Sequence, residues 1–268
     1  MTITEKESRY RHLEEMNIGE ILNNINKEDK TVAEAVERVI PQIAKLTELI
    51  INKIASGGRL FYIGSGTSGR LGIMDAAECP PSYGVDENTV IGLIAGGDKA
   101  IRTAVEHAED KFDAGWEDLL KHDLNENDVV VGISASGRTP YVVGALQKCS
   151  QYGIATAAIT NNENTPLSKE AIIPVEIITG PEFVTGSTRM KAGTATKLIL
   201  NMISTTVMIK LGRVQDNKMI DMQLVNNKLI ERGTKIIMDK LSFDYDEAKA
   251  LLLEKGSVRK AIDSIEKN

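Results

Sequence analysis

Two stretches rich in small and hydroxyl residues carry the clearest chemical signal in this chain. Gly64-Ser65-Gly66-Thr67-Ser68-Gly69-Arg70 follows the apolar run Leu60 to Ile63, and Ser134-Ala135-Ser136-Gly137-Arg138-Thr139-Pro140 follows Asp128 to Ile133. Each reads as a strand that runs into a loop and then a helix. Small residues let the backbone approach a ligand, serine and threonine add hydroxyl donors, and the helix behind presents N–H groups without intrahelical partners. The combination suits an anion, most often a phosphate. Gly64-x-Gly66-x-x-Gly69 also fits the dinucleotide fingerprint, but the acidic residue that should end the second strand is missing: that strand ends Ile94-Ala95-Gly96-Gly97, with Asp98 too far along. Arg70 after Gly69, and the lack of a GK[ST] triplet, exclude a P-loop. The hydroxyl content of both loops favours a phosphomonoester.

Carboxylates placed near these loops would supply acid and base chemistry. Arg70 to Glu78 is predicted to be helical and to stop before Pro80-Pro81, which puts Glu78 at a helix C-terminus. There the macrodipole disfavours an ionised carboxyl, as a general acid requires; the plainer alternative is a solvated glutamate near a helix end. A second helix is predicted over Ala100 to Lys111, with Glu106 and Glu109 three residues apart on one face. Either could act as a base, or both could belong to a solvent-facing charged stripe.

The elements that must position these groups follow from periodicity. Val32 to Ile54 repeats apolar residues at helical spacing, capped by Asp29 or Thr31, after an N-terminal arm of short helices over residues 1–30. Strands are predicted at Leu60 to Ile63, Thr89 to Ile94, Asp128 to Ile133, Ile154 to Thr160 and Ile172 to Ile178, with helices between them. Such alternation implies an α/β fold, a doubly wound five-stranded parallel sheet of order 2-1-3-4-5, over residues 31–212. Strands one and three are neighbours in that order, so the two hydroxyl loops meet at the crevice where the order reverses. Gly186 to Thr194 opens a long helix to Leu211, capped by Ser187 or Thr188, with Arg189 and Lys191 directed either at the crevice or at solvent. Leu198 to Leu211 is apolar nearly all round, as in a core or subunit-interface helix. Residues 213–268 read as a small helical C-terminal subdomain without strands, with helices at Met219 to Lys240, Asp244 to Leu253 and Val258 to Ile265.

Composition narrows the partners. The chain has 268 residues, 42% of them hydrophobic, with a charged N-terminus and no uninterrupted apolar stretch of membrane-spanning length, which points to a cytoplasmic protein and no membrane. Cys79 and Cys149 are too few for a disulfide framework, and His12, His107 and His122 have no metal-ligand spacing, so no metal is expected. A net charge of -6 with no basic run argues against nucleic acid. An anionic small ligand must then find its donors locally, in the two loops.

The loops GSGTSGR and SASGRTP resemble the paired phosphate-binding loops of sugar isomerase (SIS) domains. Together with DAAECPPSYGV, LIAGGDKA, AVEHAED and TGSTRMKAGTATKLILNMIS, they resemble the N-acetylmuramic acid 6-phosphate etherases, a likeness that runs from about residue 5 into the C-terminal helices. It implies an SIS-type sheet and cleavage of the D-lactyl ether of N-acetylmuramic acid 6-phosphate, giving N-acetylglucosamine 6-phosphate and D-lactate in cell-wall amino sugar recycling, with no cofactor. On the family's motifs the acid falls on Glu78 in ECPP and the second catalytic glutamate on Glu109. Phosphate-binding positions fall on Ser68, Ser134, Ser136 and Thr139, with Ser65 and Thr67 beside them. A homodimer is implied too, since SIS sites are commonly completed across subunits. Two other classes share the loops: a sugar-phosphate sensor, which needs no acid and base pair, and an aldose-ketose isomerase, which has no use for an acid at carbon 3.

Overall fold

The computed structural model describes residues 2–266. After short 3-10 turns at Ile3–Glu5 and Leu13–Glu15 come α1 (Ile18–Glu37) and α2 (Ile40–Ala55). Strands and helices then alternate: β1 (Leu60–Gly64), α3 (Gly66–Tyr83), β2 (Val90–Ile94), α4 (Asp98–Arg102), α5 (Ala114–Leu120), β3 (Val129–Ile133), α6 (Pro140–Gln151), β4 (Ala155–Thr160), α7 (Pro166–Lys169) and β5 (Ile173–Glu176). α8 (Lys191–Lys210) precedes a hairpin of β6 (Val214–Gln215) and β7 (Lys218–Met219), and the chain ends in α9 (Asn227–Leu241), α10 (Tyr245–Lys255) and α11 (Val258–Glu266).

The five long strands pair in parallel in the order β2-β1-β3-β4-β5, as the alternation of elements implied. Every residue of β1, β3 and β4 is buried, which is why these strands read as unbroken apolar runs instead of alternating ones. Successive side chains serve opposite faces. Tyr62 and Val131 face a core shared with Val36, Ile50, Ile199 and Ile203, whereas Phe61 and Val130 face Leu119, Val142 and Leu146. In the β1–β3 register Gly64 lies opposite Ile133, so both hydroxyl loops leave the sheet side by side. Among the described residues no helix is long and apolar enough to cross a membrane.

Several local expectations fail for identifiable reasons. α1 begins at Ile18, where Asn17 and Glu20 form a capping box, and neither Asp29 nor Thr31 is its cap. The apolar run breaks at Arg38 and Val39, so that Pro41 can enter the first turn of α2. The first loop is shorter than its glycines suggest, because α3 already starts at Gly66 and carries Thr67 and Ser68 in its first turn. α3 also runs through Pro80 and Pro81 to Tyr83. Burial of Asp75, Ala76 and Cys79, and the Gln223 N–H donated to the Pro81 carbonyl at 3.1 Å, outweigh the hydrogen bonds that the prolines remove. Glu78 therefore sits more than one turn inside the helix, beyond the reach of the terminal dipole. α8 is capped neither by Ser187 nor by Thr188: the Glu182 carboxylate accepts from the Lys191 and Ala192 N–H groups at 2.8 and 2.9 Å. The C-terminal segment read as free of strands contains the β6–β7 hairpin, and the helix expected from Met219 starts only at Asn227, where Asn226 caps it.

Asp75 joins α3 to α8. Ser204 donates to its Oδ1 at 3.0 Å, while its Oδ2 and the facing Tyr62 hydroxyl are buried without a hydrogen-bond partner. Burial pushes the Asp75 pKa up to about 6, against smaller opposing effects of Ser204, Tyr62 and Lys197. Between the ordinary carboxylate value near 3.8 and this folded value the native state holds a proton that the unfolded chain has released. The contribution of Asp75 to stability is thus largest in acid and is lost as pH rises through about 6. Asp75→Asn keeps an acceptor for Ser204 and removes the buried charge. It is expected to stabilise the fold by on the order of 1–3 kcal/mol above pH 7 and to have little effect near pH 4. Thermal melts across pH check this; a melting difference independent of pH would contradict it.

Candidate active site

The hydroxyl loops meet at the carboxyl edge of β1 and β3. Gly69 permits this on the α3 side, where a Cβ would lie 2.6 Å from Cγ1 of Ile94 and 2.9 Å from the Gly64 carbonyl, so any larger residue would push α3 off the sheet. Free N–H groups in the first turn of α3 and the hydroxyls of Thr67 and Ser68 point from the same place. In the second loop Ser134 is the organiser. Its buried hydroxyl lies 2.9 Å from Thr139 Oγ1 and 3.3 Å from Ser136 Oγ, and it accepts the Gly137 N–H at 3.1 Å. Gly137 has φ 64°, and a Cβ there would sit 2.4 Å from Thr165, so the turn demands glycine on both counts.

Between the loops lies a cavity of about 230 Å³ lined by Ser65, Thr67, Ser68, Ser134, Ser136 and Thr139, all six of the hydroxyl residues singled out from the sequence, and by Glu109. Its remaining wall comes from Glu5 and from Thr188, Ala192, Gly193 and Thr196 around the start of α8. Among the described residues no lysine or arginine lines it. Neutral donors and backbone N–H groups supply the positive potential instead.

Glu109 is not on a helix. α4 ends at Arg102, and residues 103–113 form a loop drawn onto the domain by Val105, which packs over Gly96, and by Ala108. The Glu109 carbonyl accepts the Tyr141 N–H at 3.0 Å, tying the loop to the start of α6. Its carboxylate accepts a 2.5 Å hydrogen bond from Ser65 Oγ and stands between the cavity of the hydroxyl loops and a second one of about 280 Å³. Glu106 lines only the second cavity, and Glu106 and Glu109 do not share a helix face.

Glu78 is exposed and lines neither cavity. It lies about 15 Å further along α3 than Ser68 at the helical rise per residue. Its face of α3 also exposes Met74, one turn away, and continues onto α8, where the Thr205 hydroxyl lies 3.4 Å from that of Tyr83. Met202 and Ile209 on α8 are exposed as well, so the apolar character read from Leu198 to Leu211 is only partly used within the chain.

The basic residues near α8 play no part in the cavity. Lys191 is buried and bonded to Glu28 of α1 at 2.6 Å, and Arg189 is exposed. Burial pushes the Glu28 carboxyl up, but Lys191, Arg9 and Tyr10 together hold it below the usual range. One group of metal-ligating types converges among the described residues, His12 with Glu14 and Glu15. It is exposed on the arm and shares no member with the cavity. A larger cavity of about 700 Å³ beside α3 and β2, lined by Ile73, Pro80, Val90, Gln223 and others, shares no residue with the hydroxyl loops or Glu109.

Sequence reasoning missed Glu5, Thr188 and Thr196 as cavity residues. Glu5 has no local pattern around it; Thr188 and Thr196 stand in the small- and hydroxyl-rich stretch Gly186 to Thr196, a signal that could have marked this wall, although no strand runs directly into it as at the two loops.

Comparison with known proteins agrees with this architecture. Residues 42–150 match the glucokinase regulatory protein N-terminal SIS domain, and residues 112–206 match the SIS domain. A phosphoheptose isomerase of Neisseria gonorrhoeae superposes with a TM-score of 0.54 at 16% identity, over 71% of this chain and 98% of its own, a likeness of fold. The N-acetylmuramic acid 6-phosphate etherase of Bacteroides thetaiotaomicron is 57% identical over 98% of this chain and 95% of its own length. That of Christiangramia forsetii is 59% identical over 97% and 95% respectively. By sequence along nearly its whole length, and by the sheet that carries its hydroxyl loops, the chain belongs to the N-acetylmuramic acid 6-phosphate etherase family.

Proposed function

We propose that this protein cleaves the D-lactyl ether of N-acetylmuramic acid 6-phosphate, releasing D-lactate and N-acetylglucosamine 6-phosphate, as a cytoplasmic carbon–oxygen lyase of cell-wall amino sugar recycling. The observation that carries this reading is the convergence of Ser65, Thr67, Ser68, Ser134, Ser136, Thr139 and Glu109 on one cavity in a chain of this family. The hydroxyls and the first N–H groups of α3 hold the 6-phosphate and so fix the sugar, which contributes orientation and leaves bond chemistry to the carboxylates. In the open-chain sugar the carbon 1 aldehyde acidifies the proton on carbon 2. Glu109, steadied by Ser65, removes it, and the electron pair forms a carbon 2–carbon 3 double bond as the carbon 3–oxygen bond breaks. Glu78 protonates the departing ether oxygen, which leaves as the hydroxyl of D-lactate. Water then adds at carbon 3, giving its proton to Glu78, while Glu109 returns a proton to carbon 2.

Within one chain Glu78 does not reach this cavity, so we place it in the cavity of a second copy, in a homodimer built on the outward face of α3 and α8. Exposed Met74, Met202 and Ile209 on that face support this arrangement. We treat residues 213–268 as a helical subdomain, supported by a hydrophobic cluster of their own that includes Ile220, Ile237, Leu252 and Ile262. It docks through Gln223 on the end of α3, close to Glu78.

The test is D-lactate release from N-acetylmuramic acid 6-phosphate by the purified protein with EDTA present and no nucleotide. The match of residues 42–150 to a regulatory protein's domain makes the sensor reading the main rival. Tight binding of the sugar phosphate without lactate would establish the sensor, and isomerised sugar without lactate would establish an isomerase.

A further inference from the structure

Among the described residues, Glu5 is the one member of the cavity wall contributed from before α1, and hydrogen bonds on both sides hold it there. The turn Ile3–Glu5 is clamped through Asn162, whose Oδ1 accepts the Ile3 and Thr4 N–H groups at 2.6 and 3.3 Å. The Asn162 amide donates to Thr4 Oγ1 at 2.9 Å and to the carbonyl of Ala135, in the second hydroxyl loop, at 2.8 Å. Thr4 and Asn162 are both buried. On the other side of Glu5, Ser8 donates its hydroxyl to the Phe183 carbonyl at 2.7 Å and its N–H to Thr185 Oγ1 at 2.9 Å. The segment is thus fastened to the domain before and after Glu5, and its register against the second loop is fixed.

What the clamp presents at the rim of the cavity is a solvent-exposed carboxylate that has no hydrogen-bond or ion-pair partner among the described residues. Glu5 Oε2 lies beside Gly186, 3.3 Å from where an added Cβ would sit. Among the described residues no cationic side chain lines the cavity to neutralise it. A free carboxylate facing a site for a phosphate dianion opposes binding through like-charge repulsion, unless it is satisfied by another part of the ligand. The groups a carboxylate can accept from are O–H and N–H, and the remainder of a sugar phosphate is rich in both.

Resting on the reading of this cavity as a sugar-phosphate site, we propose that Glu5 is a specificity residue: its carboxylate accepts a hydrogen bond from a hydroxyl or amide N–H of the sugar, while the hydroxyl loops take the phosphate. It selects a sugar phosphate over the bare anion, since the same charge that rewards a sugar donor penalises inorganic phosphate. Glu5 takes no proton from the substrate; that role stays with Glu109.

The experiment is calorimetric titration of N-acetylglucosamine 6-phosphate and of inorganic phosphate into the full-length protein, Glu5→Ala and Glu5→Gln. Glu5→Ala is expected to weaken the sugar phosphate about ten- to hundredfold, the range for a hydrogen bond to a charged group, and to leave inorganic phosphate unchanged or tighter. Glu5→Gln retains an acceptor oxygen without the charge and is expected to recover part of the sugar-phosphate affinity while keeping any gain for inorganic phosphate. Equal weakening of both ligands would show that the turn merely supports the second loop, and no change in either would show that Glu5 does not meet the ligand; each overturns the proposal. Absence of lactate release by the parent protein would instead count against the etherase reading, so the two failures are distinguishable.

Discussion

Glu109→Gln is expected to lower D-lactate release by about 10²- to 10⁴-fold and to abolish exchange of the carbon 2 proton with solvent, since loss of a positioned general base costs that much. The substitution is close to isosteric, and the side chain is exposed and bonded to Ser65 alone among the described residues, so the fold is retained and a lost rate reports chemistry. Glu78→Ala is expected to lose lactate release to a similar degree but to keep carbon 2 exchange, because proton removal needs no acid at carbon 3. Exchange at the parent rate in Glu109→Gln would show that another group is the base. Loss of exchange in both variants alike would show that the two carboxylates do not divide the work between carbon 2 and carbon 3.

Mixing the two inactive variants is expected to restore activity. If Glu109 of one subunit works with Glu78 of the other, a dimer of one Glu78→Ala chain and one Glu109→Gln chain has one complete site and one doubly disabled site. Statistical exchange of equal amounts gives about half such mixed dimers, so activity should return to about one quarter of the parent value. No restoration after verified subunit exchange would mean that both carboxylates act within one chain. The separation of about 15 Å between Glu78 and Ser68 along α3 would then have to be overcome by movement of the helix.

Much of this site is legible in the sequence because local chemistry and topology agree there. The strand runs ending in Gly64 and Ile133 specify both the hydroxyl loops and, through the parallel order, their meeting at one crevice. Where tertiary packing overrules local preference, the sequence misleads. Pro80 and Pro81 signal a helix end, yet contacts of α3 with α8 and with Gln223 carry the helix through them. The stretch around Glu109 has helical composition, yet Val105 and Ala108 pack inward and Tyr141 claims the Glu109 carbonyl, which leaves a loop. Glu5, and Lys191 with its buried partner Glu28, depend on contacts over more than 150 residues of chain, for which no local pattern exists.

The most direct measurement is turnover of N-acetylmuramic acid 6-phosphate in ¹⁸O-labelled water, with mass analysis of both products. Elimination breaks the bond between carbon 3 and the ether oxygen, so that oxygen departs with the lactate and solvent supplies the new hydroxyl. The expected result is ¹⁸O at carbon 3 of N-acetylglucosamine 6-phosphate and none in the hydroxyl of D-lactate. Label in the lactate hydroxyl, or no lactate at all, would contradict it.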